Sequence, residues 1–344
     1  MRSTRMLVTA ALVGVVLGVG CFGGGGGTRR LQGAGSTFVD PIMQEWANQY
    51  EREKQVQVNY QSKGSGAGIK MMTGKEVDFG CSDAPLDDKQ LAAAKEAGGE
   101  VLHIPLCMGA IVPAYNLPEA PDLTFSGQVL IDIYLGKIKK WNDPAIQALN
   151  RDKALPDRAI APAYRSDSSG STYILTDYFT KVNKQAWTPG RGTAIEWPAG
   201  VGIGRKGNDG VAGFVKETAG AIGYIELIYA LKNKIPFAAV VNTAGKPVRA
   251  DLQSVTAAAA TAEIPDDLRY SITTAPGANA YPIAGTVWAL VYANQPSDRA
   301  GLVTDFLRWA THDGQKATET LHYAPLPAAL VKKIDAKLDA IVAK

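Results

Sequence analysis

Strand-like and helix-like patterns alternate along most of this 344-residue chain, and three helices are entered through short glycine-hydroxyl loops. The loops are Ser36-Thr37-Phe38, which follows Gly33-Ala34-Gly35, then Gly64-Ser65-Gly66, and Ser169-Gly170-Ser171. Such alternation predicts an α/β architecture with mainly parallel sheet, because strands joined through helices run the same way. Phe38, Ile42, Trp46 and Tyr50 recur at every fourth residue, as on one helix face, and Pro41 sits where a first turn tolerates it. Val56, Val58 and Tyr60 alternate as in a strand. A short helix over 69–73, a strand over 77–81 and a helix over 87–97 follow. The apolar segment 102–115, with Pro105 and Pro113 inside it, reads as a buried strand that leaves the first half of the fold. A strand over 159–164 delivers Arg165-Ser166-Asp167-Ser168-Ser169-Gly170-Ser171-Thr172, and Ile174, Leu175, Tyr178 and Phe179 continue as a helix to about Asn183. A helix over 209–218, a strand over 220–225 and a helix near 257–263 come next. A strand over 281–292 then returns to the first half, and helices over 299–311 and 328–342 close the chain.

Length suggests about two domains. A chain 46% hydrophobic and 20% charged folds around a core. Net charge is only +3 and no Lys/Arg block occurs, so there is no electrostatic footprint for nucleic acid. Residues 1–20 read as a lipoprotein signal: Arg2 and Arg5, then an apolar run over 6–19 too short to span a bilayer, then Gly18 and Gly20 before Cys21. Cys21 is the expected lipidation site, although the leucine usually found three residues before the cysteine is here one further back, at Leu17. Removing that segment takes two of the 36 basic residues and none of the 33 acidic ones, leaving +1. Residues 21–32, with five glycines in succession, read as a flexible tether.

His103, His312 and His322 lie at no metal-ligand spacing, and no G-x-S-x-G elbow occurs, so neither a metal, a cofactor nor a serine hydrolase is indicated. Gly202-Ile203-Gly204-Arg205-Lys206-Gly207 matches G-x-G-x-x-G but lacks the apolar strand a dinucleotide site needs just before it. Cys81 and Cys107 fall in strand-like runs; a disulfide and two buried free thiols both remain open. The three loops hold the clearest chemistry. A helix N-terminus offers unpaired N–H groups and partial positive charge, and Arg165 adds a planar fork of donors. Taken singly, the Arg165 loop is an ordinary capped helix beside an Arg–Asp pair. Three such loops, with Arg165 and Asp83, make a candidate cage for a dehydrated oxyanion.

Residues 33–344 resemble the bacterial periplasmic phosphate-binding proteins of ATP-driven phosphate uptake (PstS type). The resemblance rests on Gly33-Ala34-Gly35-Ser36-Thr37-Phe38, on Val77-Asp78-Phe79-Gly80-Cys81-Ser82-Asp83-Ala84-Pro85-Leu86, and on Ile133-Tyr134-Leu135-Gly136-Lys137-Ile138-Lys139-Lys140-Trp141. It continues through Arg165 to Ser171, Gly204 to Gly210, and Gly220-Ala221-Ile222-Gly223-Tyr224, in family order. It implies a two-lobed, type II-like binding-protein fold, each lobe a mostly parallel sheet flanked by helices. Lobe I would take 33–116 and 282–344 and lobe II 117–281, with hinge crossings near Asn116 and Tyr281. It implies phosphate contacts from Thr37, Phe38, Ser65, Asp83, Arg165, Ser169, Gly170 and Ser171, with Asp167 holding Arg165. Ser171 stands where the family often has threonine, and Cys81 where it often has alanine. The expected partners are the subunits of an inner-membrane phosphate permease with its ATPase, and the expected form is a monomer held by Cys21 at the periplasmic face of a bacterial membrane or at the cell surface. Asp83 carries the selectivity argument: phosphate near neutral pH has a proton to donate to a carboxylate, and sulfate has none. A sulfate-binding protein and, less favoured, a secreted phosphate-ester hydrolase are the alternatives.

Overall fold

In the computed structural model, which describes residues 29–344, the alternation becomes one eight-stranded sheet running through the molecule. The first half contains β1 (Arg29–Gly35), α1 (Asp40–Lys54), β2 (Val56–Ser62), α2 (Ser65–Thr73), β3 (Phe79–Ser82), α3 (Asp88–Gly98) and β4 (Val101–Tyr115). Next come β5 (Thr124–Phe125), α4 (Gly127–Tyr134), α5 (Pro144–Leu149), β6 (Ala161–Arg165), α6 (Gly170–Asn183) and β7 (Ile203–Arg205). They are followed by α7 (Gly207–Glu217), β8 (Ala221–Glu226), α8 (Leu227–Asn233), β9 (Ala239–Val241), β10 (Pro247–Val248) and α9 (Leu252–Ala260). The chain returns through β11 (Ala284–Tyr292), α10 (Ala300–Thr311) and α11 (Ala328–Leu338). The signal segment, Cys21 and the glycine run lie outside the described residues. Among the described residues, no helix is long and apolar enough to cross a membrane.

The strand order is β2-β1-β3-β11-β4-β8-β6-β7. The two flanks are parallel, β1 with β2 and β3, and β6 with β7 and β8. The middle is antiparallel, β11 against β3 and β4, and β4 against β8. That follows from connectivity, since β4 leaves the first half and β11 comes back into it. Along β4, residues from Val101 to Ala110 face β11, and those from Ile111 to Tyr115 face β8. One buried strand therefore belongs to both halves, and the change of partner comes before the crossing read from sequence near Asn116. Pro105 is accommodated beside the register shift at Val287/Trp288, where a missing ladder donor does little harm.

Local chemistry explains the helix starts. Pro41 lies in the first turn of α1, which buries Ile42, Met43, Trp46, Ala47 and Tyr50. Asp87 and Gln90 form a reciprocal capping box on α3. Phe306 of α10 lies 5.2 Å from the Tyr50 ring and 5.6 Å from Phe79, which seals the returning segment onto the first half. A second aromatic group, Tyr134, Phe179, Trp187, Trp197 and Tyr224, fills the other half. Trp197 is only partly buried; each of the buried rings contributes about 1.5–3 kcal/mol from apolar burial.

The structure departs from the sequence reading in several places. The tether read over 21–32 ends early: Arg29 to Gln32 are the start of β1, in register with Val56 to Asn59, and Leu31 is fully buried. Gly33 to Gly35, read as loop, complete that strand. The Cys81–Cys107 disulfide is not formed, and both thiols are buried and free. Cys81 lies opposite Ala289 and Cys107 opposite Val287, on either side of β11. Two strand spacings separate them, about 10 Å, beyond the reach of a disulfide. Burial pushes both thiols up in pKa, so they stay protonated. The G-x-G-x-x-G stretch is the edge strand β7 and the turn into α7. Finally, the segment after α9, placed with the second half by sequence, divides: 275–280 stay on the second half, where Asn242 Nδ2 donates to the carbonyls of Gly277, Ala278 and Ala280, while 264–269 are anchored on the first. Trp288 donates its indole N–H to the Leu268 carbonyl at 2.7 Å, Arg269 donates to the Leu86 carbonyl at 3.2 Å, and Lys333 donates to that of Ile264 at 2.7 Å.

Candidate functional site

The C-terminal ends of β1, β2, β3 and β6 deliver Ser36–Phe38, Ser65, Asp83 and Arg165 to one place, where α1, α2 and α6 also begin. In parallel α/β sheets this is where ligands bind, because helix N-termini gather there. The two halves meet directly at this point. Ser65 Oγ accepts the Asp83 N–H at 3.3 Å and the Gly170 N–H at 3.0 Å, and the Gly66 N–H donates to the Ser168 carbonyl at 3.0 Å. On the first half, Ser36 Oγ donates to Asp83 Oδ1 and accepts the Phe38 N–H at 3.0 Å. Tyr60 OH and Tyr229 OH hold the Ser36 and Thr37 carbonyls at 2.8 and 2.6 Å. Thr37 Oγ1 accepts from Asn208 Nδ2 at 2.8 Å, which leaves its own proton to donate elsewhere.

On the second half, Arg165 is buried, and its Nε and Nη2 grip Asp167 at 2.8 and 2.6 Å. Asp167 Oδ1 also accepts the Gly207 N–H at 3.1 Å. Burial alone would raise the Asp167 carboxyl, but Arg165 and the Gly207 N–H hold it below its usual range. Asp167 is thus an orienting partner and not a helix cap; Ser169 caps α6 by accepting the Thr172 N–H. Tyr224 OH accepts the Arg165 N–H at 2.9 Å and bonds Thr172 Oγ1 at 2.7 Å, tying the end of β6 to the first turn of α6.

Two donors are left over. Among the described residues, Arg165 Nη1 and Ser171 Oγ are buried without a hydrogen-bond partner. Each such group costs about 1–3 kcal/mol unless something supplies an acceptor. Near them lies Asp83, whose Oδ2 would be 2.4 Å from a Cβ at Gly170 and whose carboxyl is pushed up to about 7 by burial, against the Ser36 hydrogen bond and the Arg165 charge. A buried carboxyl of that kind can meet a ligand that brings its own proton. All eight predicted contact residues therefore lie in one connected region. Sequence reasoning placed Ser36 in the first loop without a role of its own and missed the rest of the layer behind them, Tyr60, Asn208, Tyr224 and Tyr229. Only Asn208 carried a local signal, in the first turn of a helix entered through Gly207. His103 is a structural residue; its Nε2 accepts the Leu86 N–H at 3.0 Å.

Gly170 is where the halves come closest. A Cβ there would lie 2.4 Å from Asp83 Oδ2. Gly170→Ala is therefore expected to hold the halves apart and weaken ligand binding by about tenfold or more, on the ~1–3 kcal/mol cost of overpacking. Binding within about twofold of the parent protein in titration calorimetry would refute that tight approach.

A family model described as a PBP superfamily domain matches residues 23–313. The phosphate-binding protein PstS of Xylella fastidiosa is 41% identical over 315 residues, covering 89% of this chain and 84% of its own. The PstS of Pasteurella multocida is 40% identical over 314 residues, covering 89% of each. Among solved structures, a high affinity periplasmic phosphate-binding protein bound with phosphate superposes with a TM-score of 0.74 at 20% identity, over 89% of this chain and 93% of its own. A phosphate-binding protein from Stenotrophomonas maltophilia gives 0.73 at 19% identity with the same coverage. At such identities the structural likeness is one of fold.

Proposed function

This chain belongs to the PstS phosphate-binding proteins of the PBP superfamily, and on that premise we propose that it binds inorganic phosphate between its two halves and delivers it to an ATP-driven membrane permease. The observation that carries this reading is the pair of buried, unpartnered donors, Arg165 Nη1 and Ser171 Oγ, set near the Asp83 carboxyl. A dehydrated phosphate supplies acceptors for the donors and a hydrogen for the carboxylate. In this reading Thr37 contributes its backbone N–H and its hydroxyl, and the Phe38 N–H exchanges Ser36 Oγ for the ligand. Ser65, Ser169 and Ser171 contribute hydroxyls, Gly170 lies where the backbone must come close, and Arg165 supplies charge. The change of partner at Ala110/Ile111 of β4, with the return through β11, serves as the hinge. No turnover is assigned. Asp83 disfavours sulfate, which has no proton to give it.

Titration calorimetry of the ligand-stripped protein tests this. Phosphate is expected to bind tightly and sulfate far more weakly, with a chromogenic phosphate ester left intact. No heat on adding phosphate would overturn the reading.

The signal segment and Cys21 support a lipid anchor at the outer face of the membrane, with the protein a monomer on its glycine tether. Cys21→Ser is expected to move the protein from the membrane fraction to the soluble fraction. Equal membrane association of the two forms would refute the anchor.

A further inference from the structure

Helix α6 begins at the candidate phosphate site, and farther along it carries a second buried polar cluster that the binding reading does not use. Asp177 is 1% exposed. Its Oδ1 takes Arg191 Nη1 at 2.9 Å, and its Oδ2 takes Lys181 Nζ at 2.9 Å. Oδ2 also accepts from Ser271 Oγ at 2.6 Å and from the Thr273 hydroxyl. Lys181 Nζ adds bonds of 2.8 Å to each of those hydroxyls and 3.3 Å to the Thr273 carbonyl. The two cations come from α6 and the loop after it, both in the second half. The two hydroxyls follow directly on 264–270, which Trp288, Leu86 and Lys333 hold on the first half, and come before the stretch that Asn242 holds on the second. The cluster therefore spans the two halves.

It is also continuous with the site. Asp83, Ile174, Asp177, Tyr270, Thr286 and Trp288 line one cavity of about 10 Å³, roughly the smallest space that holds a single water. Asp177 and Asp83 thus share the wall of one cavity.

We propose that Asp177, with Ser271 and Thr273, is a clasp between the halves that sets how long phosphate stays bound. It acts as a positioning element and does not touch the ligand; the role rests on the phosphate-binding reading above. The division of partners suits reversible use. When the halves part, Asp177 keeps Lys181 and Arg191, so no buried charge is stranded, and the Ser271 and Thr273 hydroxyls and the Thr273 carbonyl exchange their bonds for water. Opening is thus permitted but slowed, and the effect falls on release.

The test uses the Ser271→Ala/Thr273→Val double variant, which keeps the charged triad intact, and separately Asp177→Asn, with the double variant deciding if Asp177→Asn fails to fold. Phosphate release is followed by stopped flow into a phosphate scavenger, uptake by mixing, and melting with and without phosphate. The double variant is expected to release phosphate about tenfold faster or more, the usual scale for losing hydrogen bonds to a charged group. Uptake is expected to stay within about twofold, with the melting point lowered for loaded protein and unchanged for stripped protein. Release at the parent rate would overturn the clasp while leaving phosphate binding intact. An equal drop in melting point with and without phosphate would also overturn it, since a merely structural contact behaves that way. A parent protein that takes up no phosphate would overturn the binding reading and the clasp with it.

Discussion

Replacing Arg165 with alanine is expected to weaken phosphate binding by roughly 10²–10⁴-fold in titration calorimetry. Two losses combine. The ligand loses a charge-assisted donor, worth about 1.5–3 kcal/mol. Asp167, only 13% exposed, keeps the Gly207 N–H but loses its countercharge; most of that cost falls on free and bound protein alike, and what reaches binding is the repulsion between the uncompensated carboxylate and the anionic ligand. Arg165→Lys is expected to recover only part of the loss. An ammonium cannot hold both Asp167 oxygens and still reach the ligand as the guanidinium does. A loss of less than tenfold for Arg165→Ala would mean that Nη1 faces something other than the ligand.

Phosphate-over-sulfate discrimination is expected to narrow as pH falls through about 7, the value to which burial pushes the Asp83 carboxyl. Above that pH the ionised carboxylate accepts the proton of phosphate and repels sulfate, which has none. Below it, protonated Asp83 donates to either oxyanion. Calorimetry at pH 5 and pH 8 reads the change, and equal discrimination at both would contradict it. Asp83→Asn is expected to flatten that dependence, because an amide donates at every pH. Discrimination by Asp83→Asn equal to the parent's at pH 8 would remove Asp83 from the selectivity argument.

The same group has a stability consequence in the stripped protein. Its folded pKa of about 7 lies above the ordinary aspartate value of 3.8, so between those values the folded state binds more protons than the unfolded state. Stability contributed by this group is therefore lost as pH rises through that window, by roughly 4 kcal/mol at most. Asp83→Asn is expected to raise the melting point of stripped protein at pH 8 and to leave it nearly unchanged at pH 4. A lower melting point at pH 8 would show that the carboxylate is better compensated than its burial implies.

The candidate contact residues were legible because they sit on local patterns. Arg165 and the serines after it lie between a strand and an apolar helix, and Thr37 and Ser65 open helices. Their supports were not. Tyr224 reaches the Arg165 backbone, Asn208 reaches Thr37, and Tyr229 reaches the Thr37 carbonyl, all across long sequence separations. Apolar periodicity speaks only of neighbours within an element, so such pairings leave no trace in it. Arg29 to Gln32 were hidden by the preceding glycines, although Leu31 is fully buried. The Cys81–Cys107 question turned on the insertion of β11 between two strands close in sequence, a long-range event that local reading cannot see. The anchoring of Leu268 and Arg269 on the first half, which makes the Asp177 clasp an inter-half contact, depends in the same way on Trp288 and Leu86.

A crystal structure of the stripped protein re-loaded with phosphate is the most direct measurement. Phosphate is expected between Asp83 and Arg165, with Arg165 Nη1 and Ser171 Oγ donating to its oxygens and Asp83 accepting its proton. Phosphate seated elsewhere, or Arg165 Nη1 still without an acceptor beside a bound phosphate, would contradict the assignment.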